Sequence, residues 1–325
     1  MEKILVTGAG GFIGSHLVET LVKADKHVRA FVRYTSRNAP GHLENLDPET
    51  ASGIELYHGD FEDFAAVARA VEGVDKVFHL GALIAIPYSY AHPVDVVQAN
   101  VLGTLNVLEA CRHAGTGRVV LMSSSEVYGT ARYAPIDEEH PLQGQSPYAA
   151  TKIAADKLGE SYHLSYDLPL AIARPFNTYG PRQSARAVIP ALIVQGLTRD
   201  EVEVGNLHPT RDFCFVRDTV AGLVAIGESD QAIGEVINLG TGSEISIGDL
   251  AQEIADILGR PLKLREDAQR LRPAASEVDR LLAANAKAKE LLGWSPQWAL
   301  RQGLEETARW IEAHLDQYQP GRYAV

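Results

Sequence analysis

The amino-acid sequence predicts an α/β protein built on a doubly wound parallel sheet, with a smaller, interleaved C-terminal lobe. Short apolar runs rich in β-branched residues alternate with amphipathic segments as far as Arg174, which is typical of parallel strands covered by helices on both faces. A glycine-rich turn joins the first apolar run to the first amphipathic segment. After Tyr179 the alternation loosens, and prolines and arginines separate short apolar runs, which indicates the second lobe.

The strands and helices follow in order along the chain. Apolar runs predict strands at residues 3–7, 27–32, 55–59, 76–80, 118–123 and 170–174. Apolar residues at three- and four-residue spacing predict helices at residues 12–24, 62–71, 93–113, 148–166, 247–258 and 300–318. Because ligands of such sheets lie at the carboxyl ends of the strands, we expect the functional residues along that edge.

The second lobe is expected to be interleaved with the first domain. Residues 236–239 form a short, mostly apolar run that predicts one more buried strand, and we expect this strand to return to the main sheet. We therefore assign residues 1–178 to the doubly wound domain, to which residues 214–242 return. Residues 179–213 and 243–325 then form the smaller lobe, which closes over a ligand.

Composition excludes several classes of protein. The chain has 325 residues, 46% of them hydrophobic and 22% charged, which is ordinary for a globular protein with a large core. A net charge of −12 and an isoelectric point of about 5.4 predict no nucleic-acid and no membrane partner. The start of the chain lacks a signal peptide, so we expect a cytoplasmic protein. We expect Cys111 and Cys214 to be buried.

The sequence GAGGFIG follows the first predicted strand and opens the first predicted helix. Its glycines, Gly8, Gly11 and Gly14, permit a tight turn and let backbone N–H groups approach a pyrophosphate at the positive end of the helix. We therefore predict a Rossmann-type dinucleotide site. The alternative is that these glycines serve helix–strand packing alone.

The identity of the dinucleotide depends on the end of the second strand. The acidic residue that would hold the ribose 2′-hydroxyl of NAD is missing, and Arg33 and Arg37 stand near that point. An arginine there accepts the 2′-phosphate of NADP, which favours NADP slightly over NAD; alternatively, Arg33 stacks on the adenine. Asp60, after the third strand, is a candidate to hydrogen-bond the adenine and a candidate to cap the helix predicted from Glu62, and the two roles are compatible.

The stretch from Ser123 to Lys152 carries the predicted chemistry. Tyr148 and Lys152 are four residues apart, so on a helix they lie on one face. Tyrosine loses its proton at about pH 10, and a neighbouring lysine together with a positively charged nicotinamide is expected to lower that value. Tyr148 then takes the proton of an alcohol while hydride leaves the same carbon, and Ser124 donates a hydrogen bond to that oxygen. Glu126 offers a carboxylate base.

The motifs TGAGGFIG, HLGA, YAATK and RPFNTYGP together resemble those of the extended short-chain dehydrogenase/reductase superfamily, which acts on nucleotide sugars. The resemblance covers nearly the whole chain. It implies bound NAD or NADP, a lobe for the sugar nucleotide, and a homodimer formed through the helices at residues 93–113 and 148–166. The implied cofactor site comprises Gly8, Gly11, Phe12, Ile13, Gly14, Arg33, Asp60, Phe61, Leu80, Gly81, Ala82, Asn100, Ser123, Tyr148, Lys152 and Pro175.

Glu126 narrows the reaction that the resemblance implies. A 4-epimerase needs only the tyrosine, the lysine and a hydroxyl donor, whereas a 4,6-dehydratase also needs a base for the C5 proton once C4 is a ketone. Dehydratases of this superfamily carry Thr-Asp-Glu or Thr-Ser-Glu here, and Ser124-Ser125-Glu126 resembles the Ser-Glu type. Ser125 replaces an aspartate that protonates the leaving water in the other subgroup, so the acid stays open and Glu126 is a candidate for both steps.

The resemblance ranks a 4,6-dehydratase ahead of a UDP-glucuronate decarboxylase, which also carries Ser-Glu, and both ahead of a 4-epimerase. The strings ALIAIPYSY, SEVYGTARYAPIDEEHPLQGQSPY and RPFNTYGPRQSARAVIP resemble the N-acetylglucosamine-nucleotide 4,6-dehydratases of the legionaminic-acid type. Two alternatives remain: Glu126 is structural, or the fold serves a non-catalytic dinucleotide sensor that would tolerate Tyr148→Phe.

Fixed guanidinium groups suit the pyrophosphate of a sugar nucleotide. Arg211 in PTRDF and Arg272 in LRP are the first candidates, and Asn177 can donate to a phosphate oxygen. Tyr88 either touches the sugar or packs in the core. The predicted substrate site comprises Tyr88, Ser124, Asn177, Arg182, Val188, Arg211 and Arg272.

No metal site is predicted, because no HExxH motif or paired Cys/His spacing occurs. His79 in FHLGA is expected to pack beneath the cofactor. A serine hydrolase is not expected, since no GxSxG motif occurs.

Overall fold

The computed structural model describes residues 2–318 and centres on a parallel sheet. The strands in chain order are β1 Lys3–Thr7, β2 His27–Val32, β3 Ile54–His58, β4 Lys76–His79, β5 Arg118–Met122, β6 Leu170–Pro175, β7 Asn177–Tyr179, β8 Glu201–Val204, β9 Thr210–Arg211, β10 Phe213–Phe215, β11 Val236–Leu239, β12 Ile245–Ser246, β13 Lys263–Glu266 and β14 Arg280–Leu281. Within the described residues, the central sheet has seven strands in the order β11-β6-β5-β4-β1-β2-β3. The predicted doubly wound sheet is confirmed, and the six strands predicted before Tyr179 match the observed ones to within one residue at each end.

Helices cover both faces of this sheet. They are α1 Phe12–Lys23, α2 Pro48–Ser52, α3 Phe64–Val71, α4 Ile86–Ala91, α5 Pro93–Val97, α6 Gly103–Ala114, α7 Pro147–Tyr166, α8 Val188–Thr198, α9 Val216–Glu228, α10 Ile247–Leu258, α11 Ala286–Leu292 and α12 Leu300–Ala313. Successive residues of β1 face opposite sides, as the pleat requires. Ile4 and Val6 join the apolar cluster that contains α1 and α9, whereas Leu5 joins the cluster that contains α3, α6 and α7. Cys111 and Cys214 are both buried, as predicted.

Three predicted helices differ from the observed ones by more than one residue at an end or by an internal interruption. The helix expected from Glu62 begins at Phe64, because the carboxylate of Asp63 accepts hydrogen bonds from the N–H groups of Ala65 and Ala66. The cap predicted for Asp60 is therefore wrong. The helix expected at residues 93–113 contains a π-helical turn, Gln98–Leu102, between α5 and α6. The helix expected at residues 300–318 ends at Ala313, and a short 3₁₀ turn follows.

The chain leaves the sheet after β6 and returns to it at β11, which pairs with β6 in parallel register. Between and after these strands, β7 pairs with β10, β9 with β12 and β14, and β8 with β13. Helices α8, α10 and α12 pack together beside these small sheets. The division into a domain and a lobe stays a prediction, and residues 319–325 of the predicted lobe lie outside the described residues.

The parallel register brings the ends of four strands to one edge. Strands β1, β4, β5 and β6 end at Thr7, His79, Met122 and Pro175. The segments that follow these strands contain the glycine loop, HLGA, SSSE and the FNTYGP motif. The fold therefore gathers distant parts of the sequence at the carboxyl edge of the sheet.

Candidate active site

A cleft of about 370 Å³ runs along the carboxyl edge of the sheet. The glycine loop, the ends of β2 and β4 and the segment after β3 form its walls. Met122, at the end of β5, also lines it. Eleven of the predicted cofactor residues line this cleft: Gly8, Gly11, Phe12, Ile13, Gly14, Arg33, Asp60, Phe61, Leu80, Gly81 and Ala82. Pro175 is buried at the end of β6.

The glycine loop is shaped by close backbone contacts. Gly8 has φ of +67°, and a Cβ on it would lie 2.9 Å from the backbone nitrogen of Gly81. A Cβ on Gly14 would collide with the carbonyl oxygen of Gly8. Helix α1 starts after Gly11 with no side-chain cap and no acidic residue in its first turn. The uncapped N–H groups at the N-terminus of α1 and the positive end of its helix dipole suit a pyrophosphate.

Two charged residues stand at the rim of the cleft. Arg33 Nε lies 3.3 Å from Asp60 Oδ2, and the Arg33 side chain is 65% exposed. Asp60 also accepts a hydrogen bond from the N–H of Glu62 through its other oxygen. The Arg33 guanidinium is thus held beside a carboxylate while much of it remains open to solvent.

Beneath the cleft, His79 is buried in a chain of hydrogen bonds. Its Nδ1 lies 2.7 Å from the Thr7 hydroxyl, which accepts from the N–H of Gly81, and its Nε2 lies 3.1 Å from the Thr104 hydroxyl. The Thr104 hydroxyl donates to the carbonyl of Asn100. Thr104 therefore accepts from Nε2–H, and Nδ1 accepts from Thr7. Burial lowers the pKa of His79 to about 3, so the ring is neutral.

Asn100, in the π-helical turn, joins the cleft to α7. Its amide oxygen accepts from the N–H of Leu83, and its amide nitrogen donates to the Leu83 carbonyl and to the Thr151 hydroxyl. Thr151 in turn donates to the carbonyl of Tyr148. The HLGA segment and the Tyr148 helix are thereby held in a fixed relation.

Tyr148 and Lys152 lie on the same buried face of α7. Lys152 Nζ donates to the carbonyl of Met122 over 2.6 Å. Burial raises the pKa of Tyr148 above its usual range, the nearby Ser124 hydroxyl opposes that rise, and the charge of Glu126 adds to it. Burial lowers the pKa of Lys152 to about 8. The expected lowering of the Tyr148 pKa is thus not a property of the protein alone.

Glu126 lies in the 3₁₀ turn Ser125–Tyr128 that follows β5. The turn starts at Ser124, whose hydroxyl accepts from the N–H of Glu126. Arg272 Nη1 lies 3.4 Å from Glu126 Oε2, and Arg211 is close enough for the Glu126 charge to raise its pKa against the larger effect of burial. The Glu126 carboxylate thus lies within hydrogen-bond range of Arg272, and its charge acts on Tyr148 and Arg211.

Four further residues belong to the predicted substrate site, namely Arg182, Tyr88, Asn177 and Val188. The Arg182 guanidinium packs against α1, with Nη2 2.7 Å from Glu19 Oε2 and Nη1 3.4 Å from the Ser15 hydroxyl. Tyr88 donates a 2.5 Å hydrogen bond to Asp95. The remaining two begin local elements, Asn177 at the start of β7 and Val188 at the start of α8.

Two residues of the site were not foreseen. Asp156, buried on α7, forms an ion pair with Arg174 on β6, with Nε and Oδ2 3.0 Å apart. Asp156 follows Lys152 by four residues, so the spacing that linked Tyr148 to Lys152 could have extended to it. Arg174 is the first residue of the RPFNTYGP motif, but that motif did not indicate its partner on α7.

Two absences hold within residues 2–318. No group of three or more His, Cys, Asp or Glu side chains is arranged to hold a metal ion. In the same residues no helix has the length and apolar character needed to cross a membrane.

The chain matches proteins of known family over nearly its full length. Residues 5–307 match the family model described as GDP-mannose 4,6 dehydratase. A UDP-glucose 4-epimerase from Mycolicibacterium smegmatis is 36% identical over 95% of this chain and 98% of its own. UDP-glucuronic acid decarboxylase 6 from Arabidopsis thaliana is 34% identical over 93% of this chain and 86% of its own.

Solved structures also match this chain over nearly its full length. DesIV, a dTDP-glucose 4,6-dehydratase from Streptomyces venezuelae solved with NAD and TYD, has a TM-score of 0.88 and 29% identity over 98% of this chain and 99% of its own. A UDP-glucuronic acid 4-epimerase from Bacillus cereus, solved as a point mutant with NAD and UDP-4-deoxy-4-fluoro-glucuronic acid, has a TM-score of 0.88 and 31% identity over 96% of this chain and 99% of its own.

Proposed function

Because this chain belongs to the NAD-dependent epimerase/dehydratase family of extended short-chain dehydrogenases/reductases, we propose that it is a nucleotide-sugar 4,6-dehydratase. The proposed substrate is UDP- or GDP-N-acetylglucosamine, and the product is the 4-keto-6-deoxy sugar nucleotide with release of one water. The N-acetylated sugar is supported by the resemblance of the longer sequence strings alone. The relatives support the family and not this choice of sugar.

The observation that carries the proposal is the position of Glu126. Glu126 lies in the turn that follows β5, where its charge raises the pKa of Tyr148 and its Oε2 atom is 3.4 Å from Arg272 Nη1. Reversible oxidation of a sugar carbon has no need of this group, whereas removal of a C5 proton needs a base close to the oxidised carbon. A largely buried carboxylate is costly in free energy unless it has partners, which favours a functional role.

Tyr148, Lys152 and Ser124 act on the C4 oxygen in the proposed reaction. A dinucleotide held by the glycine loop would supply the hydride chemistry at C4 and C6. Tyr148 accepts the proton of the C4 hydroxyl, and Ser124 holds the oxygen by a hydrogen bond. Lys152 has a pKa of about 8, and in its protonated form it stabilises the Tyr148 phenolate.

Glu126 acts on C5 in the elimination. It removes the C5 proton, which is acidic once C4 is a ketone, and the C6 hydroxyl leaves as water. When hydride returns to C6, C5 takes up a proton from solvent, which replaces the proton that left with the water. Ser125, buried next to Glu126, offers no proton of suitable acidity. We propose that Glu126 itself gives the proton to the departing hydroxyl, so that one carboxylate is the base and the acid.

Arg211 and Arg272 are the proposed partners of the substrate pyrophosphate. Arg211 is buried, and its Nη2 lies 3.6 Å from Glu277. Arg272 is partly exposed next to Glu126. Two guanidinium groups near the reactive carboxylate support a site for a doubly charged group beside the sugar.

NAD is the proposed cofactor. The two solved relatives described above hold NAD, and the bare start of α1 suits its pyrophosphate. The slight preference for NADP that Arg33 indicated has no support among these relatives. Asp60 Oδ2 lies 3.3 Å from Arg33 Nε, so part of the guanidinium is already paired with a carboxylate that a 2′-phosphate would have to displace.

A homodimer in the cytoplasm is the proposed form of the enzyme. Apolar side chains stand exposed on the two predicted interface helices, and two buried free cysteines suit a reducing compartment. The exposed apolar side chains are Val94, Val97, Leu102, Leu164 and Tyr166.

Product analysis with four sugar nucleotides tests the proposed reaction. The purified protein is incubated with UDP-N-acetylglucosamine, GDP-N-acetylglucosamine, UDP-glucose and UDP-glucuronate, and the products are identified by mass and NMR. We expect loss of one water from an N-acetylglucosamine nucleotide. Inversion at C4 without a change of mass would replace the proposal with a 4-epimerase, and loss of carbon dioxide from UDP-glucuronate with a decarboxylase. Failure of every sugar nucleotide, together with retained NAD binding in Tyr148→Phe, would favour the dinucleotide sensor.

Glu126→Gln tests the residue that carries the proposal. The amide keeps the shape of the side chain and removes the base, so dehydration is expected to fall by about 10²-fold or more. Glu290→Gln, an exposed carboxylate on α11, is the matched control and should leave the rate unchanged. Normal dehydration by Glu126→Gln would contradict the assignment of the base.

A further inference from the structure

A buried ion pair between Asp156 and Arg174 lies close to the predicted catalytic residues Tyr148 and Lys152. Asp156 is on α7 one turn after Lys152, so both side chains lie on one face of the helix. Its Oδ2 atom is 3.0 Å from Arg174 Nε on β6, and neither side chain is more than 2% exposed. Such burial costs both charges their hydration.

The same ion pair contacts the turn that holds Glu126. Arg174 Nη1 donates to the hydroxyl of Tyr128 over 3.0 Å, and that hydroxyl donates to Asn238 Oδ1 over 2.8 Å. The guanidinium carbon also lies 5.0 Å from the centre of the Tyr128 ring. Tyr128 is the last residue of the Glu126 turn and is fully buried. One guanidinium thus links α7 to the turn that carries Glu126.

A buried salt bridge is by itself weak evidence for stability, since apolar residues of similar volume often serve as well. The Asp156–Arg174 ion pair is distinguished by its position one helical turn from Lys152. Lys152 is buried, and its ammonium has only the Met122 carbonyl as a hydrogen-bond acceptor among the described residues. Burial lowers the pKa of Lys152 to about 8, and the charge of Asp156 is the effect that opposes this.

The other titratable groups around Lys152 do not replace Asp156. His79, at the end of β4, is neutral. Tyr148, on the same helix, is uncharged at neutral pH because burial raises its pKa. The charge of Glu126 acts on Tyr148 and on Arg211, whereas Asp156 is the charged group that acts on Lys152.

We propose that Asp156 and Arg174 are positioning residues for the catalytic pair. Asp156 supplies the negative charge that keeps Lys152 protonated, and Arg174 keeps Asp156 ionised and holds it in place. The charge of Arg174 lowers the pKa of Asp156 against the larger effect of burial, which is the direction this role requires. The catalytic importance of the ion pair rests on the function proposed for Tyr148 and Lys152.

Direct titration of Lys152 tests the proposal without any substrate. The protein is labelled with lysine carrying ¹³C at Cε, and the Lys152 signal is identified by its absence from Lys152→Met. Its pKa is then measured by NMR in the wild type, Asp156→Asn, Asp156→Asn with Arg174→Met, and Tyr128→Phe. Tyr128→Phe is the matched control, because it removes a hydrogen bond of Arg174 and no charge.

We expect a defined order of Lys152 pKa values. The wild type should be highest, at about 8. Asp156→Asn should be lowest, by about one unit or more, because a neighbouring negative charge is lost and the Arg174 charge is left unpaired. The double variant should fall between these two, since it removes the distant positive charge as well, and Tyr128→Phe should match the wild type.

An unchanged Lys152 pKa in a folded Asp156→Asn protein would overturn the proposal. If that variant does not fold, the double variant decides, because removing both partners avoids an unpaired buried charge. A value below that of the wild type then supports the proposal, and an equal or higher value overturns it. The titration does not depend on turnover, so a failed dehydratase assay would count against the proposed function and leave this result intact.

Discussion

At the scale of single residues, the site depends on what burial does to protonation. Burial moves the pKa of Tyr148 up and that of Lys152 down, which opposes the charge state that catalysis needs. The protein offsets this with nearby groups. Ser124 lies beside the phenol, and Asp156 lies beside the ammonium. A positively charged nicotinamide would complete the shift of the tyrosine.

His79 gives a prediction at the same scale. It is neutral when folded, with a pKa of about 3, against an unfolded value of about 6.5. The stability that it contributes is therefore complete above about pH 6.5 and is lost as the pH falls towards 3. Between pH 7.5 and 5.5 we expect the wild type to lose roughly 1 kcal/mol more unfolding free energy than His79→Gln.

Urea denaturation at the two pH values measures this difference. His16 is also buried with a lowered pKa and remains in both proteins, so its contribution cancels in the comparison. The same loss in both proteins would show that His79 is not held neutral by the fold.

At the scale of elements, the contact between β1, the glycine loop and α1 is the most sharply defined. Gly14→Ala would push a methyl group into the carbonyl oxygen of Gly8. Because that oxygen belongs to the backbone of the cradle, the loop must move, and we expect NAD affinity to fall by at least about tenfold. Calorimetric titration with NAD measures the effect.

Gly248→Ala is the control for this substitution. Gly248 lies in the first turn of α10, where a Cβ would make ordinary contacts of 3.7 Å or more. Its replacement should leave NAD affinity unchanged and stabilise the fold by about 0.4–1 kcal/mol. Equal NAD affinity in Gly14→Ala and the wild type would contradict the role of the close backbone contact.

The helices α5 and α7 carry a second prediction at this scale. Val97 and Leu164 are 45% and 80% exposed, although both are large apolar residues on well-formed helices. If these helices form the dimer interface, Val97→Asp with Leu164→Asp should give a monomer in sedimentation velocity. Leu264→Asp, on the exposed strand β13, should remain a dimer. A monomeric wild type at micromolar concentration would contradict the proposed assembly.

At the scale of the whole molecule, sequence reasoning succeeded where chemistry depends on local spacing. The glycine loop and the pair Tyr148 and Lys152 each lie within one turn or one helix, so their geometry follows from the element itself. The strands before Tyr179 were found because buried parallel strands are short and uniformly apolar.

Contacts between distant segments escaped prediction. Arg272 meets Glu126 across 146 residues, and Arg174 reaches Asp156 from another element. Arg182 was assigned to the substrate site from the sequence, which did not indicate that its guanidinium pairs with Glu19 on α1. Which arginine meets which carboxylate depends on how the lobe packs on the sheet, and no local pattern records that.

One measurement tests the central claim that Glu126 converts reversible oxidation at C4 into elimination. The protein is incubated with UDP-N-acetylglucosamine, and in parallel with GDP-N-acetylglucosamine, in deuterated water, and the product is examined by NMR and mass spectrometry. We predict a 4-keto-6-deoxy product that has lost one water and carries deuterium at C5, because the original C5 proton leaves with the water and C5 is then reprotonated from solvent. A product that retains the C6 hydroxyl and the C5 proton would contradict the claim.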